Sequence, residues 1–463
     1  MVDLRFYIAM ITGKIIFFIL RLFNRGGSAA PGLISLKIDP DFLSKMAAQL
    51  KFSIVVSGTN GKTTTSRMIS AIISASGEKV IHNRTGSNLP RGIVSQYINN
   101  LSLKSLSSDY IGIWEVDEGL LPQVARDLKP EYIVLTNLFR DQLDRYGELD
   151  TIANKWKMTF KKLSAQSNII LNSDDPRIAA LGKKLTAKTI YYGLRTKKYG
   201  EKELPHATDT NYCPFCNNKL TYQLSYVSHL GEYQCKNCGR IQPEPKVKCT
   251  KLEKINNQWK LTINTPEEIK LTVSSPGLYN IYNILAAVST AFKAGFEIET
   301  IKNGLKNFIM PFGRFESIKV DNKTIKIVLT KNPTALNQAL KTSLQLYKEE
   351  KIAIYFLLND LIADGKDTSW IWDANFKYLK QFNNLEKIMC SGIRAEDLAL
   401  RIKYTEFNYS NKRLSLIKPI EKAVKSVKKL EAETILIYPT YTAMLELRKF
   451  FEDKKYIHKR WQD

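Results

Sequence analysis

Gly58-Thr59-Asn60-Gly61-Lys62-Thr63-Thr64 breaks an apolar run that begins at Ile54 and leads into an amphipathic stretch. Residues of these types at this spacing do phosphate chemistry. The two glycines let the backbone turn tightly, so that successive N–H groups point at phosphate oxygens. A helix starting here directs its positive end at the same spot. Lys62 can reach terminal phosphates and the Thr63 hydroxyl can ligate magnesium. The spacing, G-x-x-G-K-T, is shorter than the general G-x-x-x-x-G-K-[ST] loop. A plain glycine turn between strand and helix needs neither the lysine nor the threonines. We therefore expect Gly58, Thr59, Asn60, Gly61, Lys62, Thr63 and Thr64 to bind a nucleotide.

A second constellation binds metal. Cys213-Pro-Phe-Cys216 and Cys235-Lys-Asn-Cys238 are two C-x-x-C knuckles separated by eighteen residues. Four thiolates from two such turns close a tetrahedral zinc site and leave no position for a catalytic water, so the expected zinc is structural. Gly239 suits a tight knuckle, and His206 and His229 are expected to be surface residues, not ligands. Only Cys249 and Cys390 remain of the six cysteines. That usage fits a cytoplasmic, metal-binding protein and not a disulfide framework.

The elements that must position these groups are legible in the hydrophobic pattern. From about Leu50 to Gly193, apolar runs ("FSIVVS", "DYIGIWEVDE", "EYIVLTN", "SNIILNSDD", "KTIYYG") alternate with helical patterns. That alternation predicts βαβ units around a parallel sheet, with ligands at the carboxyl ends of its strands. A Lys/Pro/Cys-rich insert follows at about 200–248, then a long Ala-rich helix from "PGLYNIYN". After "PFGRFESI" a second set of buried strands begins, "KIVLT", "KIAIYFLLND", "EKIMCSG" and "TILIYPT". The expected organisation is an amino-terminal helix and linker (1–45), an ATP-binding α/β domain carrying the insert (46–313), and a carboxy-terminal Rossmann-like α/β domain (314–463).

With 463 residues there is ample length for such cores, and 69 Lys+Arg against 45 Asp+Glu gives +24, which favours an anionic partner. Residues 4–23 are apolar and aromatic, but Lys14 near the middle argues against a spanning helix. No small-residue cleavage site follows, so a signal peptide is not expected. An amphipathic helix is, with its apolar face either on another part of the protein or in the membrane interface. "NRGGSAAPG" after it reads as a linker.

The ordered series "SGTNGKTTT", "EVDE", "TNLFRDQLDRYG", "LNSDDP", "PGLYNIYN" and "FGR" resembles the Mur ligases and folylpolyglutamate synthetases over roughly residues 30–450. The four-cysteine insert, with "LNDLIADGKDTSWIWD" and "YPTYTAMLELR", narrows the resemblance to MurT-type synthetase subunits of lipid II isoglutaminyl synthase. The resemblance implies ATP and magnesium as cofactors and an acyl-phosphate route to amidation of the D-glutamate α-carboxylate of lipid II. It also implies a heterodimer with a GatD-type glutaminase, at the cytoplasmic face of the cell membrane. Glu115 matches the family's magnesium carboxylate, with Asp117 and Glu118 as neighbouring candidates. Arg314 matches a residue that reaches the nucleotide from the domain junction, against a linker salt bridge. Asn280 matches an adenine-side contact, against a helix-capping role.

The chain departs from the amino-acid ligases at three places. Asp141-Gln142-Leu143-Asp144 stands where those enzymes show D-H-L-D, which weakens a second magnesium site. Lys155 falls near the place of a lysine that becomes carbamylated. "VLTKNPT" lacks the acidic residue and histidine that precede Asn-Pro, with Lys331 where the histidine stands, and a lost amino-acid site suits ammonia as nucleophile. Neither Cys249 nor Cys390 lies near His82, His206, His229 or His458 in sequence, so glutamine hydrolysis falls to a partner. Asp367 is expected to orient that partner's histidine, with Asp360, Asp364 and Asp373 as alternatives and a cap on a helix near Thr368 as the competing role. Two other functions fit parts of the sequence: a ligase that adds an amino acid, and a zinc-ribbon, nucleic-acid-dependent ATPase. The chain lacks the interleaved basic and aromatic pattern of single-strand binders, so no nucleic acid is expected.

Overall fold

Short strands with buried apolar centres build the structure from its centre outwards. The computed structural model describes residues 3–22, 29–83, 87–101, 109–141, 147–205, 208–255, 258–274, 276–306, 308, 313–405 and 413–457. Gln142, Leu143, Asp144, His206 and His458 lie outside the described residues.

The first sheet contains β1 (Phe52–Ser57), β2 (Lys79–His82), β3 (Tyr110–Glu115), β4 (Tyr132–Leu135), β5 (Asn168–Asn172) and β6 (Lys188–Leu194), all parallel. Ile54, Val55 and Val56 are fully buried because helices cover both faces, which is why these strands read as continuous apolar runs. After β6 comes the cysteine insert, whose ordered part is the hairpin β7 (Thr221–Val227) and β8 (Leu230–Gln234). The chain then rejoins the sheet through β9 (Val247–Ile255), β10 (Gln258–Asn264) and β11 (Glu268–Val273), an antiparallel extension. The order is β11-β10-β9-β6-β5-β4-β1-β3-β2.

The second sheet comprises β12 (Arg314–Val320), β13 (Lys323–Val328), β14 (Lys351–Leu357), β15 (Asn384–Ser391), β16 (Leu414–Leu416) and β17 (Thr434–Pro439), in the order β12-β13-β17-β14-β15-β16. β12 and β13 are antiparallel and the remaining pairs parallel.

Of the expected linker, residues 24–28 lie outside the described residues and residues 30–32 are helical. Helix α1 (Leu4–Leu22) is followed by α2 (Ala30–Ile38), which begins inside the "NRGGSAAPG" stretch with Pro31 in its first turn, and by α3 (Phe42–Ala47). Gly32 of that stretch and Ser35 beyond it serve packing. A Cβ on Gly32 would lie 1.9 Å from the Arg91 carbonyl oxygen in α5 (Pro90–Asn100), and Ser35 Oγ donates to the Ala9 carbonyl at 2.8 Å. Phe6, Ala9, Met10 and Gly13 are buried, with the Phe6 ring stacked on Phe42 at 4.4 Å. Lys14 turns inward as well: Nζ donates to the Ile98 carbonyl at 3.0 Å and to that of Leu101, satisfying the carboxyl end of α5. The opposite face of α1 exposes Leu4, Ile8, Ile11, Ile15, Phe18 and Leu22. No helix among the described residues is long and apolar enough to cross a membrane.

Candidate active site

β1 delivers the phosphate loop to the carboxyl edge of the first sheet, and α4 (Lys62–Ala75) leaves from it. Gly58 and Gly61 have φ of +125° and +89°. A Cβ on Gly58 would stand 2.3 Å from Thr136 Oγ1, and one on Gly61 would stand 2.1 Å from Asn283 Oδ1, so both positions demand glycine on space as well as conformation. Asn137 holds the loop in place. Its Oδ1 accepts the Asn60 N–H at 2.9 Å, its Nδ2 donates to the Asn60 carbonyl at 3.0 Å, and its own carbonyl accepts the Thr59 N–H at 3.0 Å.

Lys62 is buried and folds back over this loop. Nζ donates to the carbonyls of Gly58 at 2.5 Å and Thr59 at 3.2 Å and pairs with Glu118 Oε2 at 3.0 Å. Burial opposes its charge, but the carboxylates of Glu118, Asp117 and Glu115 prevail and hold its pKa above the ordinary lysine value. Thr63 Oγ1 donates to Glu115 Oε1 at 3.1 Å, which sets a hydroxyl and a carboxylate side by side, the oxygen donors that magnesium takes. Burial pushes Glu115 up, against the pull of Lys62 and the Thr63 hydroxyl. Asp141 is also buried, and its Oδ2 pairs with Lys331 Nζ at 2.5 Å. Burial raises the Asp141 pKa, although Lys331 opposes the rise. Glu118 moves the other way: burial favours its neutral form, and Lys62 with Lys331 outweigh it. The corner is a buried set of carboxylates held between two lysines.

A cleft opens beside this corner, between the two sheets. Asn60, Gly61 and Thr64 line its phosphate-loop end; Phe139, Tyr279, Tyr282 and Asn283 line the first domain's side; Arg314 and Val328 come from the second sheet. Asn280 does not line it. That residue is buried behind Asn283, donating to the Pro276 carbonyl at 2.5 Å and accepting from Asn283 Nδ2 at 3.0 Å. Asn283, three residues further along the same helical face, takes the position at the loop. The two asparagines of "LYNIYN" carry that signal, but the spacing alone does not tell the bracing one from the exposed one. Asn332, which follows β13 and caps the helix Pro333–Tyr347, donates to Asn60 Oδ1 at 3.2 Å, so the carboxy-terminal unit touches the phosphate loop directly. Lys155 is exposed on the helix Leu149–Phe160, and its neighbour Trp156 is the residue that turns in, donating to the Glu118 carbonyl at 2.9 Å.

The four cysteines meet. The sulfurs of Cys213, Cys216, Cys235 and Cys238 lie within 4.8 Å of one another, with Cys213–Cys238 at 3.8 Å and Cys216–Cys235 at 3.5 Å. A tetrahedron of thiolates about 2.3 Å from zinc has edges of about 3.8 Å. The donor set therefore fits that ion. The backbone N–H of Asn218 pulls the Cys216 thiol down to about 6, and that of Arg240 lowers Cys238. Gly239 has φ +68°.

His229 departs from expectation. It is fully buried, with its ring 4.6 Å from that of Phe139 and Nε2 3.4 Å from Asp175 Oδ2. The β7–β8 turn that carries it folds back onto the "LNSDDP" loop, a long-range contact with no local signature.

Asp367 is exposed and its Oδ1 accepts the Ser369 N–H at 2.8 Å, at the start of the 3₁₀ turn Ser369–Trp372. It lines a surface groove with Ser369, Trp372, Arg394, Asp397 and Leu400. Asp364 is unavailable to a partner: it is buried and accepts the Thr442 N–H at 2.7 Å and the Thr442 hydroxyl. Asp373 Oδ2 lies 3.7 Å from Arg140, and Asp360 Oδ2 3.9 Å from Arg394. Cys249 and Cys390 are buried in β9 and β15; burial pushes the Cys249 thiol up to about 12 and Cys390 higher still, which makes both poor nucleophiles.

Comparison with known proteins agrees with this arrangement. The Mur ligase middle domain family matches residues 56–239, and the MurT ligase C-terminal family matches residues 329–444. The chain is 35% identical over 437 residues to the lipid II isoglutaminyl synthase (glutamine-hydrolyzing) subunit MurT of Staphylococcus aureus (strain COL), covering 93% of this chain and 95% of that one. It is 32% identical to the subunit of the same name from Streptococcus pneumoniae, covering 99% of both. Among solved structures it resembles a pseudomurein peptide ligase type C from Methanothermus fervidus, with a TM-score of 0.66 at 25% identity, over 87% of this chain and 78% of that one. The fold is shared with MurF ligase from Thermotoga maritima in complex with ADP, with a TM-score of 0.62 at 13% identity, over 91% of this chain and 84% of that one.

Proposed function

Because the chain belongs to the family of MurT subunits, we propose that it is the ATP-dependent synthetase subunit of a lipid II isoglutaminyl synthase, converting the α-carboxylate of D-glutamate in lipid II to the amide. The observation that carries this reading is the meeting of Lys62, Thr63 and Glu115 at the end of a cleft that Arg314 enters from the second sheet. Phosphorylating a carboxylate joins two anions, so cations must surround the transferring group.

In this reading the γ-phosphoryl group of ATP passes to a carboxylate oxygen, giving an acyl phosphate and ADP. Ammonia attacks the acyl carbon, the bond from that carbon to the phosphate oxygen breaks, and phosphate leaves as the nitrogen loses a proton. Lys62 releases the loop carbonyls and Glu118 to take the terminal phosphates. The backbone of Gly58–Lys62 cradles the phosphate chain, Thr64 and Asn283 flank it, and Asn280 braces Asn283. Arg314 approaches from the far side. Thr63 and Glu115 would hold magnesium, which when bound supplies further positive charge at the phosphoryl oxygens. Lys331 stands where the substrate carboxylate must arrive. The four cysteines would hold a structural zinc.

We assign the ammonia supply to a GatD-type glutaminase docked over the Asp367 groove, where Leu361, Ile362, Trp372, Ile393 and Leu400 are exposed. Asp367 would orient the partner's histidine. The apolar outer stripe of α1 would rest on the membrane that carries lipid II. Residues 46–313 and 314–463 act as two units that close on the nucleotide. The test is ATP-dependent amidation of lipid II by the purified chain with its glutaminase, with glutamine or ammonium as nitrogen source. Amide formed only with a free amino acid as nucleophile would point instead to an amino-acid ligase.

A further inference from the structure

The cysteine insert reaches the cleft. Its hairpin turn supplies two of the cleft's apolar lining residues, Val227 at the end of β7 and Leu230 at the start of β8. With Phe139 they give the cleft an apolar side distinct from its polar phosphate-loop residues Asn60, Gly61 and Thr64, a surface suited to a flat, apolar ring. The other end of the same hairpin is the metal site: β8 ends at Gln234 and the next residue is the ligand Cys235. At about 3.4 Å per residue, a strand of this length sets the metal and the cleft wall roughly 17 Å apart.

The turn is fixed to the first domain by buried polar contacts. His229 packs on Phe139 and approaches Asp175, whose other oxygen caps the helix Pro176–Leu181 through the Arg177 and Ile178 N–H groups. Asp175 also accepts the Leu138 N–H at 2.8 Å, in the loop that supports Asn60 through Asn137. The Gly231 N–H donates to the Asp174 carbonyl at 2.9 Å, and Gln242 Nε2 bridges the Ser173 and Gly231 carbonyls.

We propose that the turn of the insert is part of the nucleotide-binding surface: Val227 and Leu230 form the wall on which the base rests, and His229 at one end of the hairpin and the cysteine-bound metal at the other set the position of that wall. The insert is then an affinity element for the base as well as a fold-stabilising one. His229 is a positioning residue; it acts through the turn and through Phe139.

This inference rests on the ATP reading, and the test separates the two. The full chain is titrated with ATP and with inorganic tripolyphosphate, which offers the same charges without a base. Wild-type chain that binds neither overturns the nucleotide reading itself. If wild type binds both, Leu230→Ala and Val227→Ala should weaken ATP binding about tenfold or more while tripolyphosphate binding is unchanged. Retained tripolyphosphate binding also reports an intact fold. Chelating the metal should reproduce the selective loss of ATP affinity, and His229→Ala should do so in part. Unchanged ATP affinity in Leu230→Ala, or equal losses for ATP and tripolyphosphate, contradicts the proposal. The same comparison with Leu230→Val, which trims a single methylene, decides in place of a variant that does not fold.

Discussion

Lys331 Nζ lies 2.5 Å from Asp141 Oδ2, an ion pair that carries a cation from the second sheet into the acidic corner of the first. Lys62 and Glu118 form the matching pair from the phosphate loop, at 3.0 Å. Each lysine is held by a carboxylate it can exchange for a phosphate or a substrate carboxylate. The next residue, Asn332, is bonded to Asn60 at 3.2 Å, so the segment that carries Lys331 also reaches the phosphate loop.

Lys331→Met should lower the amidation rate about 100- to 1,000-fold, as loss of one donor at a developing anion does. ATP binding should change little, because Lys331 pairs with Asp141 and is not among the residues that line the cleft. Lys331→Arg should recover part of the rate. Equal loss of ATP affinity and turnover in Lys331→Met would place the lysine at the nucleotide instead.

Thr63 and Glu115 make a different prediction. Thr63→Ala and Glu115→Gln should each raise the magnesium concentration that gives half-maximal turnover, by about tenfold or more, because each removes one oxygen donor. Lys62→Ala should abolish turnover at any magnesium concentration. A magnesium titration on the purified variants distinguishes the two patterns.

Metal analysis of chain prepared without oxygen should find about one zinc per molecule, as four thiolates at this spacing require. Cys213→Ser or Cys238→Ser should lose the metal and lower the melting temperature by several degrees, since a structural site contributes folding free energy. Chain that holds no zinc yet melts like the zinc-loaded protein would refute the structural role.

The site was readable wherever its signal is local. The phosphate loop and the cysteine knuckles depend on residue types a few positions apart, and both took the expected form. The parallel strands were readable because burial on two faces leaves unbroken apolar runs. Strands β9 to β11 carry a weaker signal: "VKCTKLEKI" and "EIKLTV" alternate apolar with charged residues instead of running unbroken, so nothing marks them as part of the same sheet. His229 was taken for a surface residue because its burial depends on a hairpin folding back onto Asp175, far away in sequence. Asn283 was passed over for Asn280 because one helical turn separates a cleft residue from its brace. Gly32 read as linker, although its missing side chain lets α2 approach α5.

Asp367 offers the cleanest separation of the two half-reactions. Asp367→Asn keeps the Oδ1 acceptor that meets the Ser369 N–H, so the turn should hold. Glutamine-dependent amidation should fall by about two to four orders of magnitude, as when the orienting acid of a triad is neutralised. Amidation with ammonium and assembly with the glutaminase should persist. Parallel loss of both rates would assign Asp367 to the synthetase site or to the fold.

Activation of a carboxylate as its acyl phosphate leaves an isotopic trace. The most direct measurement uses lipid II labelled with oxygen-18 in the D-glutamate α-carboxylate, incubated with the chain, ATP, magnesium and ammonium, with mass analysis of the phosphate released. The account predicts that one labelled oxygen moves into inorganic phosphate for each amide formed. Amide formation with unlabelled phosphate, or phosphate release without amide, would contradict it.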